Sequence, residues 1–219
     1  MCNLYTSTTN QEAMRRLYRV EPHQDKLGNY EPLTSIWPKY EAPVVRLDDD
    51  GARELTLMSW GFLTPKVSKA TGKALKPDAW NNVRADKIAK SGLWKSSFHD
   101  RRCLIPATAY AEATGRNPAT YHWFGLEGVE GFALAGIWKH QKETVGDTEV
   151  DMLVHSMVTT NASKFASQYH NRMPVILDPS NYETWLSGPA DAALGLLKPW
   201  ESDLFRLGGG IGVTKWPPD

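Results

Sequence analysis

Cysteine is scarce in this chain of 219 residues, which has only Cys2 and Cys103. Two cysteines are too few for a disulfide scaffold and suit a protein of the reducing cytoplasm. The chain has no Cys-x-x-Cys pair and its six histidines are scattered, so it also lacks the ligand spacing of a structural zinc site. We therefore expect neither a metal site nor a bound cofactor.

Long apolar runs and an excess of one charge are absent as well. No apolar stretch approaches the roughly 18 residues of a membrane-spanning helix, and the first residues lack the basic region and apolar core of a secretory signal. We expect a protein that is neither exported nor membrane-bound. Lys and Arg together number 25, as do Asp and Glu, so the formal net charge is zero. Binding to nucleic acid would therefore have to rely on a local basic patch.

Apolar and aromatic residues are plentiful by contrast. Hydrophobic residues make up 41% of the chain, which includes nine tryptophans. This composition is typical of a globular protein with a substantial core, and the length suits a single domain over residues 1–219. Most of the tryptophans should lie in that core, but nine leave some for a surface on which bases could stack.

Residue patterns predict more strands than helices. Helices are expected over 10–20, where Thr9 and Glu12 form a capping box, over 84–91, from Ser180 to Leu186 and over 189–197. Strands are expected over 43–47, 54–58, 120–126, 132–138, 150–160 and 207–216. Residues 21–42 are predicted to be coil, and the lysine-rich residues 66–77 either a solvated loop or a basic rim beside a phosphate backbone. The predicted fold class is α+β, with a mainly antiparallel, barrel-like β core and short flanking helices.

The first two residues, Met1 and Cys2, form a candidate reactive centre. If Met1 is removed, Cys2 carries an α-amine and a thiol two carbons apart, with ordinary pKa values of about 8 and about 8.5. Such an aminothiol condenses with an aldehyde to an imine, and its thiol can then close a stable thiazolidine ring. The alternative is that Cys2 is an ordinary cysteine. Leu4 and Tyr5 should hold this terminus against the core.

Two further segments carry groups suited to acid–base chemistry. Glu112 follows the apolar residues 103–111, so its carboxyl should be partly desolvated and its pKa raised. The alternative is a glutamate on the exposed side of an alternating strand. His170 and Arg172 precede Pro174, which stops any helix, so both are expected in a loop that leads into a strand.

Four short segments, well separated along the chain, carry a recognisable combination of residues. They are Met1-Cys2, Asn82-Val83-Arg84, Leu104-Ile105-Pro106 followed by Tyr110-Ala111-Glu112, and His170-Asn171-Arg172-Met173-Pro174-Val175. In this order the chain resembles the SRAP family, the SOS-response-associated peptidases that process abasic sites in single-stranded DNA, over roughly residues 2–200. The resemblance implies one α+β domain with a basic groove for single-stranded DNA.

The resemblance also implies roles for four residues at the reacting centre. Cys2 would be the nucleophile, first through its amine and then through its thiol. Asn82 would hold the N-terminal residue or the opened sugar by hydrogen bonds. Glu112 would move protons during imine formation, ring opening and reversal, and His170 would be a second acid–base group near the sugar hydroxyl. Taken singly, Asn82 could instead be a helix cap and His170 a loop histidine.

DNA contacts are expected from three other residues. Arg84 and Arg172 would contact phosphates, whose geometry the guanidinium fork fits, although Arg172 alone could be a surface cation. Trp60 is a further predicted DNA contact. At Leu4 the chain departs from the family pattern, in which an arginine near DNA often follows the cysteine by two residues.

The implied activity is a covalent crosslink between Cys2 and the aldehyde of an abasic site, which would shield the lesion from strand cleavage. The implied partner is single-stranded DNA that contains abasic sites, bound by a monomer in the cytoplasm or on the nucleoid. Two alternatives remain from the residues. One is a thiol peptidase with Cys2 as its N-terminal nucleophile, and the other is a non-covalent single-stranded DNA-binding module with stacking tryptophans.

Overall fold

The computed structural model describes residues 2–145 and 148–217, with the backbone alone described at 143–145 and 148–150. Fifteen strands and four α-helices lie in the described part of the chain. Strands β1 to β15 are, in order, Leu4–Ser7, Leu33–Ile36, Glu41–Leu47, Arg53–Trp60, Phe62–Val67, Ala74–Trp80, Asn82–Arg84, Arg102–Ala107, Ala109–Thr114, Thr120–Leu126, Phe132–Val145, Thr148–Asn161, Arg172–Pro174, Ile176–Leu177 and Leu204–Ile211. Helices α1 to α4 are Gln11–Tyr18, Lys95–Asp100, Tyr182–Leu186 and Ala190–Gly195. None of these helices is long and apolar enough to cross a membrane.

Five strands close into a barrel in the order β12, β4, β3, β8, β11 and back to β12. Every pairing in this ring is antiparallel except that of β12 with β4. Closure leaves the ring without a free edge, which removes the aggregation hazard of an unpaired strand. The predicted fold class, α+β with a barrel-like and mainly antiparallel β core, is confirmed.

A second, five-stranded antiparallel sheet carries the N-terminal strand. Its order is β15, β10, β9, β1 and β2. In it Leu4 pairs with Ala111 on β9 and Tyr5 with Ile36 on β2. Both Leu4 and Tyr5 are buried, so the expectation that they hold the terminus against the core is confirmed.

Two large apolar clusters fill the molecule. One joins the barrel to the helices and includes Val45, Leu104 and Trp185. The other lies where the two sheets meet, and it combines Tyr5 and Tyr110 with barrel residues and with Cys2 itself. Each fully buried large side chain contributes on the order of 2 kcal/mol by leaving water, so the clusters hold the N-terminal strand firmly against the barrel.

Helix α1 starts one residue later than the capping box predicts. Its cap is Asn10, whose Oδ1 accepts a hydrogen bond from the backbone N–H of Ala13 at 2.8 Å. Thr9 instead donates its hydroxyl to the carbonyl oxygen of Glu130 at 3.2 Å. Asparagine caps helices as well as threonine does, so the helix forms as predicted although the capping residue differs.

Three segments differ from the sequence prediction because strand pairing decides their structure. Residues 21–42 are not all coil, since β2 pairs with β1. Of residues 66–77, only 68–73 form a largely exposed loop, and the others lie on strands β5 and β6, which pair as a hairpin. The segment 84–91 does not become an α-helix: Asn82–Arg84 pairs in parallel with β12, and a series of turns follows it.

Candidate active site

Cys2 lies directly before β1, fully buried at the junction of the two sheets. Its Sγ donates a hydrogen bond to the carbonyl oxygen of Leu4 at 3.4 Å. Burial, followed by the negative charge of Glu112, raises the pKa of the Cys2 thiol well above its ordinary value. The thiol is therefore protonated at neutral pH and needs a base when it reacts.

Asn82 contacts Cys2 from the neighbouring strand β7. Its Nδ2 donates a hydrogen bond to the carbonyl oxygen of Cys2 at 2.6 Å and lies 3.3 Å from Oδ1 of Asn3. The preceding residue, Asn81, donates from its own Nδ2 to the same Oδ1 at 2.9 Å. Asn82 thus caps no helix in the described structure, because it belongs to a strand that positions it against the N-terminal residues.

Glu112 reaches this junction from β9. It is only 3% exposed, and burial raises the pKa of its carboxyl to about 7. The expectation of a desolvated carboxyl is confirmed, and the alternative of an exposed strand position is wrong. A group with this pKa exists in both protonation states near neutrality, as a general acid and base requires.

His170 faces Glu112 from the loop before β13. Its Nδ1 lies 3.8 Å from Oε2 of Glu112. The same Nδ1 is 3.0 Å from the backbone nitrogen of Arg172 and 3.2 Å from its carbonyl oxygen, so it accepts from the first or donates to the second according to the tautomer of the neutral ring. Burial lowers the pKa of His170, which favours this neutral form.

Arg84 and Arg172 line one cavity of about 410 Å³. Arg172 donates to the carbonyl oxygen of Thr159 at 2.6 Å, while Arg84 forms a two-pronged ion pair with Asp86 at 2.9 and 3.0 Å. Burial, and then the positive charge of Arg84, lowers the pKa of Arg172. Asp86 lines the same cavity, so two guanidinium groups and one carboxylate leave the cavity with a net positive charge, which favours an anionic ligand.

Trp60 has no face available to a base. The residue is fully buried, with its Nε1 donating to the carbonyl oxygen of Asn81 at 2.7 Å. The edge of Tyr5 packs against its ring, and the ring of His155 lies nearly parallel to it. The prediction that Trp60 contacts DNA is therefore wrong: the indole supports the backbone next to Asn82.

Sequence reasoning missed several residues around this junction. Asn81 was indicated only by its position beside Asn82. A second cavity, of about 240 Å³, adjoins Glu112 and is lined by Asn3, Leu4, Trp37, Ala111, Glu112, Ala113 and Tyr121. Leu4 packs with Ala109, Ala111 and Trp123, so the hydrophobic side chain belongs to the core and offers nothing to a phosphate. No cluster of His, Cys, Asp or Glu in the described residues could hold a metal ion.

The order of these residues along the chain matches a family model. The model described as SOS response associated peptidase (SRAP) matches residues 1–207. The chain belongs to the SRAP family. The SRAP match thus covers Cys2 before β1, Asn82 on β7, Glu112 on β9 and His170 in the loop before β13.

Relatives within the SRAP family are named as abasic site processing proteins. YoqW of Bacillus subtilis is 23% identical over 210 residues, which cover 93% of this chain and 89% of YoqW. HMCES of Xenopus tropicalis is 26% identical over 213 residues, which cover 81% of this chain and 61% of HMCES. A solved structure from Bordetella bronchiseptica shares the fold, with a TM-score of 0.75 and 22% identity over 96% of this chain and 99% of that one.

Proposed function

We propose that this SRAP protein captures abasic sites in single-stranded DNA covalently through Cys2, after removal of Met1. The observation that carries the proposal is the convergence of three side chains on the N-terminal residues. Asn82 contacts the Cys2 carbonyl at 2.6 Å, and Glu112, with its pKa near neutrality, faces His170 at 3.8 Å. The relatives named as abasic site processing proteins support the same substrate.

The first step opens the sugar. An abasic deoxyribose is mostly a closed hemiacetal, so its ring oxygen must gain a proton while its anomeric hydroxyl loses one. Glu112 can supply the first proton in its acid form, and neutral His170 can accept the second. Both groups are poised for this exchange near pH 7.

The second step forms the imine. The unprotonated α-amine of Cys2 attacks the aldehyde carbon, a C–N bond forms, and the carbonyl oxygen leaves as water with the two protons that the amine nitrogen loses. The Glu112 carboxylate left by the first step can relay these protons from nitrogen to oxygen. Asn82 fixes the backbone of Cys2, which holds the amine in one orientation during the attack. Glu112 in its acid form is the donor for the departing water.

The third step closes the ring. The sulfur of Cys2 attacks the imine carbon, a C–S bond forms, and the thiol proton passes through the Glu112 carboxylate to the nitrogen. The sum is one aldehyde plus one aminothiol, giving one thiazolidine and one water. The ring carbon is no longer electrophilic, so the neighbouring C–H is not acidified and strand cleavage by β-elimination stops.

A thiol peptidase with Cys2 as nucleophile fits the site less well. Peptidase cysteines attack as thiolates, and their surroundings lower the thiol pKa. Here burial and Glu112 raise it. An amine that attacks first, followed by a thiol that needs a nearby base, agrees better with these electrostatics.

The test compares two cysteine variants on single-stranded DNA that carries one abasic site. Cys2→Ala should form no adduct that survives a denaturing gel, because the amine alone yields a reversible imine. Cys103→Ser should retain the adduct, because Cys103 packs in a separate cluster with Val44, Met58 and Trp138. Cys2→Ser should allow borohydride to trap an imine and should cleave the strand slowly.

A stable adduct formed by Cys2→Ala would contradict the proposal. Binding by a non-covalent module would instead be unchanged when the abasic aldehyde is reduced to its alcohol, whereas covalent capture would disappear. We further propose that the protein acts as a monomer in the cytoplasm, so each adduct should contain one chain and one strand.

A further inference from the structure

The hairpin of β5 and β6, residues 62–80, concentrates positive charge on a chain whose net charge is zero. We name it the lysine arm. It has four lysines and a single acidic residue, Asp78, which pairs with Lys66 at 2.9 Å. The other three, Lys69, Lys73 and Lys76, are exposed, and none forms an ion pair with a described residue. The lysine arm is therefore a local basic patch of the kind that nucleic-acid binding needs here.

Trp80 stands at the base of the lysine arm, next to the candidate active site. It is 50% exposed, in contrast to the buried Trp60. Its Nε1 donates to Oγ1 of Thr64 at 3.0 Å, and its carbonyl oxygen accepts from Oγ of Ser156 at 3.0 Å. Because Trp80 precedes Asn82 by two residues, their Cα atoms lie at most about 7.6 Å apart. A fixed, half-exposed indole thus lies beside the residue that holds Cys2.

The lysine arm is fastened to the barrel and encloses a partly apolar hollow. The side-chain amide of Gln141 on β11 accepts from the backbone N–H of Leu63 at 3.0 Å and donates to the Leu63 carbonyl oxygen at 2.5 Å. The hollow has a volume of about 320 Å³ and is lined by Leu63, Pro65, Lys66, Ala74, Leu75, Pro77, Gln141 and Lys142. Apolar walls with two lysines suit a nucleotide, which has a flat ring and a charged phosphate.

We infer that the lysine arm binds one flank of the single strand, with Trp80 stacked on the base beside the abasic nucleotide. Lys69, Lys73 and Lys76 contact the phosphates that follow. Stacking on an aromatic ring tolerates any base, and lysines neutralise phosphates without reading sequence. The arm therefore positions any sequence that carries the lesion. This inference rests on the proposed function.

The first experiment measures binding of single-stranded DNA that carries tetrahydrofuran in place of the abasic sugar. This probe has no aldehyde, so its binding is independent of Cys2 chemistry. Trp80→Ala should weaken binding about 5- to 150-fold, the range expected for loss of one stacked base. The control Trp80→Phe keeps an aromatic face and should stay much closer to the wild type.

The second experiment locates the arm along the strand. The triple change of Lys69, Lys73 and Lys76 to Ser should weaken binding of a probe whose tetrahydrofuran lies near one end of the strand, and not near the other. It should also reduce the slope of log affinity against log salt by about 2, since each phosphate contact on a single strand contributes about 0.7. The control changes three other exposed lysines, Lys87, Lys90 and Lys95, to Ser and should show no such dependence on position.

Two results would overturn the lysine arm as a DNA-binding element. One is unchanged binding by both Trp80→Ala and the triple variant. The other is an equal loss for both probe positions, or for the control triple variant. Covalent capture at saturating abasic DNA is measured in parallel. If the wild type forms no adduct, yet the arm variants bind tetrahydrofuran DNA more weakly than the wild type, the proposed covalent capture is contradicted. The lysine arm is then still supported as a DNA-binding element.

Discussion

At the scale of single residues, environment gives ordinary groups unusual chemistry. Glu112 is a carboxylic acid on a strand, and its pKa rises to about 7 because apolar neighbours remove its water. The same burial keeps the Cys2 thiol protonated. The Glu112 carboxyl can thus exchange protons near neutrality, whereas the Cys2 thiol needs a base before it can react. Neither property belongs to the residue type alone.

The raised pKa of Glu112 predicts how both activity and stability depend on pH. Capture by the wild type should change with an inflection near pH 7, which Glu112→Gln should abolish while it slows capture. In the unfolded chain the carboxyl titrates near 4.5. Its burial therefore leaves stability untouched below about pH 4.5, and reduces it progressively up to about pH 7, by on the order of 3 kcal/mol.

Two measurements from pH 4 to 9 on the wild type and Glu112→Gln check this prediction. Capture rates test the pH dependence of activity, and urea unfolding tests that of stability. Glu112→Gln should lose less stability than the wild type over this range. The control Glu41→Gln alters an exposed carboxyl and should retain the wild-type profiles. An inflection near pH 7 that persists in Glu112→Gln would assign the titration to another group.

The burial of a residue could be predicted where its neighbours in the sequence determine it, and could not where the tertiary fold determines it. Glu112 lies among apolar residues, so its desolvation could be predicted from adjacent letters. Trp60 has no such local signal. Its burial follows from the parallel pairing of β4 with β12, where Trp60 is opposite His155, and a count of tryptophans cannot tell which one a base reaches.

At the scale of elements, the short strand β7 connects the barrel to the site. Three residues on and before it are held by tertiary hydrogen bonds: Trp80 by Ser156, Asn81 by Trp60 and Asn82 by Cys2. Its parallel pairing with β12 fixes the direction of the Asn82 side chain. The strand therefore acts as the support of the N-terminal residue.

Loss of the indole donor of Trp60 should disturb that support. Trp60→Phe removes one of the two donors to the carbonyl oxygen of Asn81 and leaves only the backbone N–H of Met157, at 2.9 Å. It should cost about 0.5–1.5 kcal/mol of unfolding free energy and slow capture roughly tenfold or more, because Asn82 shifts. The matched control is Trp185→Phe, which loses an equivalent bond to the carbonyl of Cys103. Both variants should lose similar stability in urea unfolding, but Trp185→Phe should capture abasic DNA at the wild-type rate.

Equal capture rates for the two variants would show that Trp60 serves stability alone. The supporting role of β7 could not be predicted from the sequence, because the local pattern of residues 84–91 favours a helix. The backbone N–H groups of Ile88 and Ser91 do donate i to i−4 hydrogen bonds, to the carbonyl oxygens of Arg84 and Lys87, so the local helical tendency is real. Pairing with β12, which begins 66 residues after Asn82, takes Asn82–Arg84 into a sheet instead.

At the scale of the whole molecule, the closed barrel gathers residues from distant parts of the chain. Residues 2 and 170 precede β1 and β13, Asn82 begins β7 and Glu112 lies within β9, and these four strands meet at the junction of the two sheets. Periodicity and turn signals could predict most of the strands, but not this convergence. Only the resemblance in the order of the four pieces indicated it.

A neutral protein that binds DNA must do so through patches, and this predicts its salt dependence. We propose that Arg84, Arg172 and the three exposed lysines of the arm each contact one phosphate, which would make five contacts. The slope of log affinity against log salt should then be about −3.5 on a single strand. Fluorescence anisotropy of a tetrahydrofuran probe over a range of NaCl concentrations measures it. A slope near zero would show that these cations do not contact the backbone.

Intact mass spectrometry of the purified protein, alone and after reaction with abasic single-stranded DNA, tests the central claim most directly. The expected result is a protein without Met1 that gains the mass of one strand minus one water, with Cys2 as the modified residue after digestion. Contradiction would come from an adduct on a lysine, or from no adduct on a protein whose Met1 has been removed.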